Sequence, residues 1–282
     1  MRVFEKVVDL QSYLNELVKA DKKIGFVPSM GALHEGHVSL VTRCVAENDV
    51  CVVSIFVNPA QFNDPNDLKN YPRNLEEDLN LLRSVGCDVV FAPTEKEVYP
   101  TADTTSFDLG FLDTIMEGKH RPGHFQGVAK VVHRLFEIVK PHTAYFGEKD
   151  FQQIAVIRRM VNLTGQSVNI VSCPIIRESD GLALSSRNLL LTPEHRKSAP
   201  LIAKTLSEAK RKKGEVGVIE LKKWVVEQIN SNPLLEVEYF EIVNFKTLEP
   251  ITTWHLGDDT IGCITVKAGN IRLIDNIKFD SK

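Results

Sequence analysis

Up to about residue 176, short continuous apolar runs alternate with stretches in which apolar residues recur every three or four positions. The run VCVVSIFV at residues 50–57 is typical of a strand that is buried on both faces. Leu75, Leu79 and Leu82 have the spacing of one helix face, and Gly86 follows as a helix C-cap. The alternation predicts an α/β fold, a Rossmann-like parallel sheet with helices on both faces. The predicted strands are 24–27, 50–57, 87–92, 144–146 and 168–172, and the predicted helices are 1–20 (entered through Asp9), 38–46, 72–85, 128–139 and 154–162.

After residue 176 the order of elements changes, because two helical patterns precede three strand patterns. Gly269-Asn270 has the composition of a hairpin turn. About 100 residues are enough for a separate small domain. We therefore predict a larger domain over 1–176 and a smaller α+β domain over 177–282. The predicted helices are 193–209 and 218–229, and the predicted strands are 237–244, 260–266 and 271–276.

Composition narrows the class of protein. The 282 residues carry a net charge of −3 and show no basic stripe, so we expect no nucleic-acid partner. The N-terminus has no signal-peptide pattern and no apolar run approaches a membrane span, which predicts a cytoplasmic protein without a membrane partner. The five scattered cysteines form no CxxC pair, and we interpret them as reduced residues, mostly small core side chains.

Residues 24–37 combine a strand pattern, a glycine turn and a helix start with His34 and His37. A helix N-terminus offers unpaired N–H groups and a partial positive charge, and it binds phosphate readily. Two histidines add donors that can become cationic near neutral pH. A zinc site is the alternative, but the HExxH pattern would need a histidine where Val38 stands.

Two further polar segments, 58–63 and 147–153, also follow predicted strands. Ligands of parallel sheets bind beyond the carboxyl ends of the strands, so these segments predict one shared site. Lys149 could reach a phosphate, and Asp150 could cap a helix or bind a ribose. Gln61 and Gln153 suit a substrate with hydroxyl and carboxylate groups. Taken alone, each segment is equally compatible with a charged turn or surface glutamines.

Two more segments have compositions that suit an anionic ligand. Residues 184–188 supply two hydroxyls and a guanidinium for phosphate oxygens, or else form a polar linker with a helix cap. Residues 118–125 are basic with glycines at both sides. They could close over an anionic ligand or form an ordinary exposed loop.

The motifs together resemble those of the pantoate–β-alanine ligase family. The first motif also occurs in the wider nucleotidyltransferase superfamily, which shares an HxGH-type turn (the HIGH motif) with class I aminoacyl-tRNA synthetases. The later motifs narrow the resemblance to the ligase family, and it runs nearly end to end. The motifs are VPSMGALHEGH, FVNPAQF, YPRNLEEDL, KHRPGHFQGV, YFGEKDFQQ and LALSSRN.

The resemblance implies a nucleotidyltransferase catalytic domain and an ATP-dependent ligase of pantothenate and coenzyme A biosynthesis. ATP and pantoate would give pantoyl adenylate and pyrophosphate, and the β-alanine amine would then displace AMP. The family implies a homodimer, Mg²⁺ on the departing phosphates, and a second domain that closes over the active site.

The resemblance also implies residue roles. His37 would donate a proton and stabilise the phosphates beside His34, with Lys149 and Arg187 as further catalytic cations. Gln61 would contact pantoate and β-alanine, and Gln153 would hold pantoate. Glu77 and Asp78 lie where some members place metal contacts, although exposed helix carboxylates are an equal interpretation. The implied ATP residues are Met30, Gly31, Ala32, Leu33, His34, Glu35, Gly36, His37, Gly147, Glu148, Lys149, Asp150, Ile176, Leu184, Ser185, Ser186 and Arg187.

Two departures from the family pattern are mild. The family usually has methionine at the position of Leu184 and often threonine at that of Ser29, so an apolar contact and a hydroxyl are kept. Three other functions stay open: a nucleotidyltransferase that acts on a phosphate ester, a non-catalytic ATP-binding regulator and a zinc hydrolase.

Overall fold

A computed structural model describes residues 1–62, 65–255, 257 and 259–279. Asn63, the last residue of the predicted polar segment 58–63, lies outside these residues. The chain divides into two compact units. The first comprises Met1–Glu148 and Gln152–Pro174, and the second comprises Lys149–Phe151 and Ile175–Lys282.

The first unit contains a six-stranded sheet in which every neighbouring pair is parallel. This confirms the predicted parallel α/β fold. The strand order is β1-β4-β3-β2-β5-β6. The strands are β1 Arg2–Phe4, β2 Ile24–Ser29, β3 Val50–Ile55, β4 Val89–Phe91, β5 Thr143–Gly147 and β6 Asn169–Cys173.

The central strands are apolar because both faces of the sheet are covered. Phe26 of β2 and Val53 of β3 are fully buried, and each such side chain contributes about 1.5–3 kcal/mol relative to exposure. Phe26 packs edge-on against Phe136, with ring centroids 6.2 Å apart. The helices before residue 175 are α1 Val7–Lys19, α2 Glu35–Glu47, α3 Pro65–Asn70, α4 Leu75–Ser84, α5 Glu95–Val98, α6 Met116–His120, α7 His124–Val139 and α8 Phe151–Thr164.

The chain changes direction across the sheet between β2 and β5. From β2 it continues to β3 and β4 on one side, whereas β5 and β6 extend the sheet on the other side. Such a switch point opens a crevice beyond the carboxyl ends of the two strands, which is where ligands bind in open α/β sheets. The ends of β2 and β5 are therefore the place to look for a site in this unit.

The second unit is an antiparallel three-stranded sheet with helices packed on it. The core joins Leu206 and Leu221 of the helices to Phe240 and Ile264 of the sheet. The elements are α9 Pro193–Ser198, α10 Leu201–Lys212, α11 Val218–Asn230, β7 Leu235–Asn244, β8 Thr260–Ala268 and β9 Ile271–Phe279.

Three sequence predictions of local structure are wrong. Residues 1–20 are not one helix, because the short edge strand β1 precedes α1, which begins after Lys6. The predicted helix 193–209 is two helices, since Pro200 starts α10 and has no N–H to continue α9. Residues 118–125 are not an exposed loop, because they belong largely to α6 and the start of α7.

Among the described residues, no helix has both the length and the apolar character that a membrane crossing requires.

Candidate active site

The turn after β2 is held in an unusual backbone conformation. Gly31 has φ = 84° and Ala32 has φ = 50°, so both residues are in the left-handed region. The Ser29 hydroxyl donates to the carbonyl oxygen of Ser54 at 2.8 Å and accepts the N–H of Gly31 at 3.2 Å. Ser29 thereby ties the turn to β3, and a threonine would supply the same hydroxyl.

Asp78 of α4 holds the same turn from the other side. Its Oδ2 accepts the N–H of Ala32 at 3.0 Å, and its Oδ1 accepts the N–H of Leu33 at 2.7 Å. The side chain is buried, and a Cβ on Gly31 would lie 2.9 Å from Oδ2. Burial raises the pKa of Asp78, and the two backbone hydrogen bonds oppose that rise. The interpretation of Asp78 as an exposed helix carboxylate is therefore wrong.

The two histidines cap the first turn of α2. His34 is the N-cap, and its Nδ1 accepts the N–H of Gly36 at 3.1 Å. The Nδ1 of His37 accepts the N–H of His34 at 3.3 Å, and the ring centroids are 4.2 Å apart. A backbone N–H donates in both bonds, so each Nδ1 is an acceptor in this arrangement.

Gln61 brings the polar segment after β3 to the turn after β2. Its Nε2 lies 2.8 Å from the sulfur of Met30. Asn58, which is fully buried, donates from Nδ2 to the carbonyl oxygen of Gly127 at 3.1 Å. A Cβ on Gly127 would lie 2.3 Å from the carbonyl oxygen of Ala60, so this close approach of α7 requires glycine.

His124 and Arg121 support Gln61, and the sequence analysis assigned them no role beyond a basic segment. His124 Nδ1 lies 2.8 Å from the carbonyl oxygen of Gln61, and its Nε2 lies 3.0 Å from the guanidinium of Arg121. Arginine can only donate, so Nε2 accepts and Nδ1–H donates to Gln61. The motif KHRPGHFQGV contains both residues, but only the fold brings them to Gln61.

The remaining predicted residues of the first unit have less defined roles. Gly147 ends β5 and Glu148 follows it. Gln153 is half-buried, whereas its neighbour Gln152 is buried and bridges the N–H of Glu117 and the carbonyl oxygen of Leu112. Glu77 is exposed, so it does not share the environment of Asp78.

The second unit contains the other predicted ATP residues. Lys149 Nζ lies 3.2 Å from the carboxylate of Asp150. The N–H of Leu184 donates to the carbonyl oxygen of Ile176 at 3.0 Å, which closes a hairpin. Ser185 caps the following 3₁₀ helix by accepting the N–H of Arg187 at 3.2 Å, and Ser186 is buried. Segment 184–188 is therefore an ordered turn with a cap.

The cysteines form part of the core. All five are free and buried, and Cys44, Cys51 and Cys87 pack in one apolar cluster. Burial raises the pKa of Cys263 to about 12 and raises the pKa of Cys173, which disfavours a reactive thiolate. Over the described part of the chain, histidine, cysteine and carboxylate groups form no cluster of three or more that could hold a metal ion.

A parallel α/β sheet whose switch-point strand leads into a glycine turn and a histidine-capped helix defines a Rossmann-like, nucleotide-binding class of protein. A family model described as pantoate-beta-alanine ligase matches residues 2–278. The chain therefore belongs to the pantoate–β-alanine ligase family, whose members are ligases.

Known relatives are similar to this chain over nearly its whole length. The chain is 54% identical over 280 residues to a pantothenate synthetase of Porphyromonas gingivalis, covering 99% of this chain and 100% of that protein. It is similar to the crystal structure of pantothenate synthetase from Thermus thermophilus, with a TM-score of 0.91 and 44% identity over 98% of this chain and 99% of the other. A pantoate-beta-alanine ligase of Francisella tularensis, complexed with "Beta-gamma ATP" and β-alanine, has a TM-score of 0.83 and 36% identity over 100% of this chain and 99% of that one.

Replacing Asp78 with Asn separates a structural role from a metal-binding role. The amide would direct an NH₂ group at one of the two backbone N–H donors, so we expect a loss of about 1–3 kcal/mol in unfolding free energy. We also expect lower ligase activity. The Mg²⁺ concentration that gives the half-maximal rate should stay unchanged. Denaturant unfolding and a magnesium titration measure the two effects.

Glu77→Gln is the matched control, because this neighbouring carboxylate is exposed. It should leave stability and activity unchanged. If both variants instead raise the magnesium requirement while stability is kept, the metal role of the two carboxylates is supported and the structural role of Asp78 is insufficient.

Gly127→Ala tests the close approach of α7 to the segment that carries Gln61. The added Cβ overlaps the Ala60 carbonyl, and such overpacking typically costs about 1–3 kcal/mol. We expect a lower melting temperature together with a lower ligase activity. The control is Ala129→Ser, a small insertion at a buried position of the same helix, measured by thermal unfolding. Two other glycines are unsuitable as controls: Gly165 has a positive φ, and Gly147 is a predicted site residue.

Proposed function

We propose that this chain joins pantoate to β-alanine at the expense of ATP, through a pantoyl-adenylate intermediate, and releases AMP and pyrophosphate. The observation that carries the proposal is the pair of imidazoles, His34 and His37, that cap the start of α2 beside the switch point of the sheet. Family membership over nearly the whole chain supports the substrates.

In the first step, a pantoate carboxylate oxygen attacks the α-phosphate of ATP and pyrophosphate leaves. Negative charge increases on the phosphate oxygens as the bond to the leaving group breaks. Donors fixed before the reaction stabilise that charge more in the transition state than in the ground state. We assign this work to His37 and His34, with Lys149 and Arg187 as cations on the phosphates.

In the second step, the neutral amine of β-alanine attacks the acyl carbon of pantoyl adenylate. AMP departs with the phosphate oxygen, and the amine loses its proton. The protein has no need of its own nucleophile, which agrees with the burial of every cysteine. Gln61 would position both pantoate and β-alanine, and Gln153 would hold pantoate. The contact of His124 with the Gln61 carbonyl would fix that position.

We assign ATP binding to residues of both units, following the family resemblance. In the first unit these are the turn from Met30 to His37 with Gly147 and Glu148. In the second unit they are Lys149, Asp150, Ile176 and the segment 184–187. Magnesium is expected to arrive on the ATP phosphates. Asp78 fits poorly as its ligand, since both oxygens accept backbone N–H groups, and we derive no step from a protein-bound metal.

The remaining assignments rest on the sequence patterns described above and, for the dimer, on resemblance to the family. We propose catalytic and smaller domains over 1–176 and 177–282, a homodimer, and a cytoplasmic location without a nucleic-acid partner. Sedimentation equilibrium of the full chain tests the dimer, with a mass of 31.7 kDa expected for a monomer.

Exchange of labelled pyrophosphate into ATP, with β-alanine absent, tests the first step. We expect exchange that requires both pantoate and magnesium, because adenylation is reversible only when the carboxylate is present. Exchange without pantoate would point to another acceptor. Tight ATP binding with no exchange would reject the ligase mechanism and favour a regulatory ATP-binding protein.

His37→Ala should lower the rate of pantoyl-adenylate formation by about 10²-fold or more, the scale of losing one donor to a developing negative charge. ATP affinity, measured by calorimetry, should change much less. His255→Ala, at an exposed position of the second unit, should have a normal rate. A near-normal rate in His37→Ala would remove this residue from the mechanism.

A further inference from the structure

A buried carboxylate lies at the centre of the polar contacts in the second unit. Asp275 of β9 is only 4% exposed. Its two carboxylate oxygens accept hydrogen bonds from the two terminal nitrogens of Arg177, at 2.7 and 2.9 Å. Burial raises the pKa of Asp275, and the ion pair with Arg177 opposes that rise. Arg177 directly follows Ile176, a predicted ATP residue.

The residue that follows Asp275 on the strand holds Lys149. The Oδ1 of Asp275 accepts the N–H of Asn276 at 2.7 Å, and Nδ2 of Asn276 donates to the carbonyl oxygen of Lys149 at 3.2 Å. Lys149 and Arg177 are thereby fixed to two consecutive residues of one strand. The distance between Lys149 and Arg177 is therefore set by strand β9.

Glu178, which follows Arg177 in the hairpin, holds the segment that carries Arg187. Glu178 Oε1 accepts Nδ2 of Asn188 at 2.8 Å, and the same Nδ2 donates to the carbonyl oxygen of Ala183 at 3.1 Å. The other Glu178 oxygen pairs with Arg196 at 2.5 Å. Asn188 lies in the 3₁₀ helix Ser186–Leu190, so the position of Arg187 is coupled to the hairpin.

These contacts join three segments that the sequence presents separately: Lys149, the hairpin from Ile176 to Leu184, and Ser185–Arg187. Burying an ion pair is costly, and replacement by apolar groups is often neutral or stabilising. This buried, bidentate ion pair is therefore expected to add little to the stability of the fold. Its geometric value is greater, because bidentate arginine–carboxylate bonds fix direction as well as distance.

We propose that Arg177 and Asp275 are positioning residues that hold these three ATP-binding segments of the second unit in one arrangement. This inference rests on the proposed function, in which Lys149 and Arg187 contact ATP. Neither Arg177 nor Asp275 touches a reacting atom in this proposal. They act through the residues that do.

Asp275→Asn removes the charge and one acceptor from Arg177 with little change in volume. We expect the KM for ATP in pyrophosphate exchange to rise by about tenfold and kcat to fall by a similar factor, since small misplacements of binding groups are costly. The Kd for pantoate should stay unchanged. Asn276→Ala, which removes the contact with Lys149, should raise the KM for ATP with a smaller effect on kcat.

The matched control is Glu238→Gln. Glu238 of β7 pairs with Arg272 of β9 across the same sheet and is also largely buried. It should lower thermal stability at least as much as Asp275→Asn while leaving the KM for ATP and kcat normal. Melting temperatures of all variants separate loss of folding from loss of positioning.

Equal kinetics for Asp275→Asn and Glu238→Gln would overturn the inference. If Asp275→Asn does not fold, Asn276→Ala and Arg177→Lys decide the question, because a normal KM for ATP in both contradicts the positioning role. Absence of exchange in the unchanged protein would instead reject the proposed function. The positioning role would then be judged by calorimetric ATP affinity of the same variants.

Discussion

The paired hydrogen bonds from Ala32 and Leu33 to Asp78 are the constraint on which the first unit's site depends. A turn with two consecutive residues at positive φ is strained when one of them is not glycine. The buried carboxylate compensates by taking both N–H groups of the turn at once. The start of α2 is then fixed relative to the sheet, and with it the two imidazole rings and Met30, against which Gln61 packs.

A second buried carboxylate serves the second unit in a similar way. Asp275 lies on a strand and fixes loops, as Asp78 lies on a helix and fixes a turn. In both cases a buried carboxylate orders an irregular segment that is distant from it in the sequence. Each unit thus prepares its own polar groups internally, through contacts between regular elements and the irregular segments beside them.

The sequence predicts the central strands and most helices because buried parallel strands are continuous apolar runs and helix faces repeat at a regular spacing. It misses β1, since three largely exposed residues at a sheet edge carry no such pattern. The turn with His34 and His37 is predictable because its parts are adjacent in the chain. The roles of Asp78 and Asp275 are not, since their partners lie 45 and 98 residues away and a single sequence carries no signal for such pairs.

The hydrogen bonds that cap α2 make the first turn of the helix and the two imidazole rings one connected unit. Each ring accepts a backbone N–H of the turn through Nδ1, and the ring centroids are 4.2 Å apart. The direction of both rings is therefore set by the backbone, and the backbone is in turn held by the rings. A substitution at either histidine thus changes the start of the helix as well as the chemistry of the side chain.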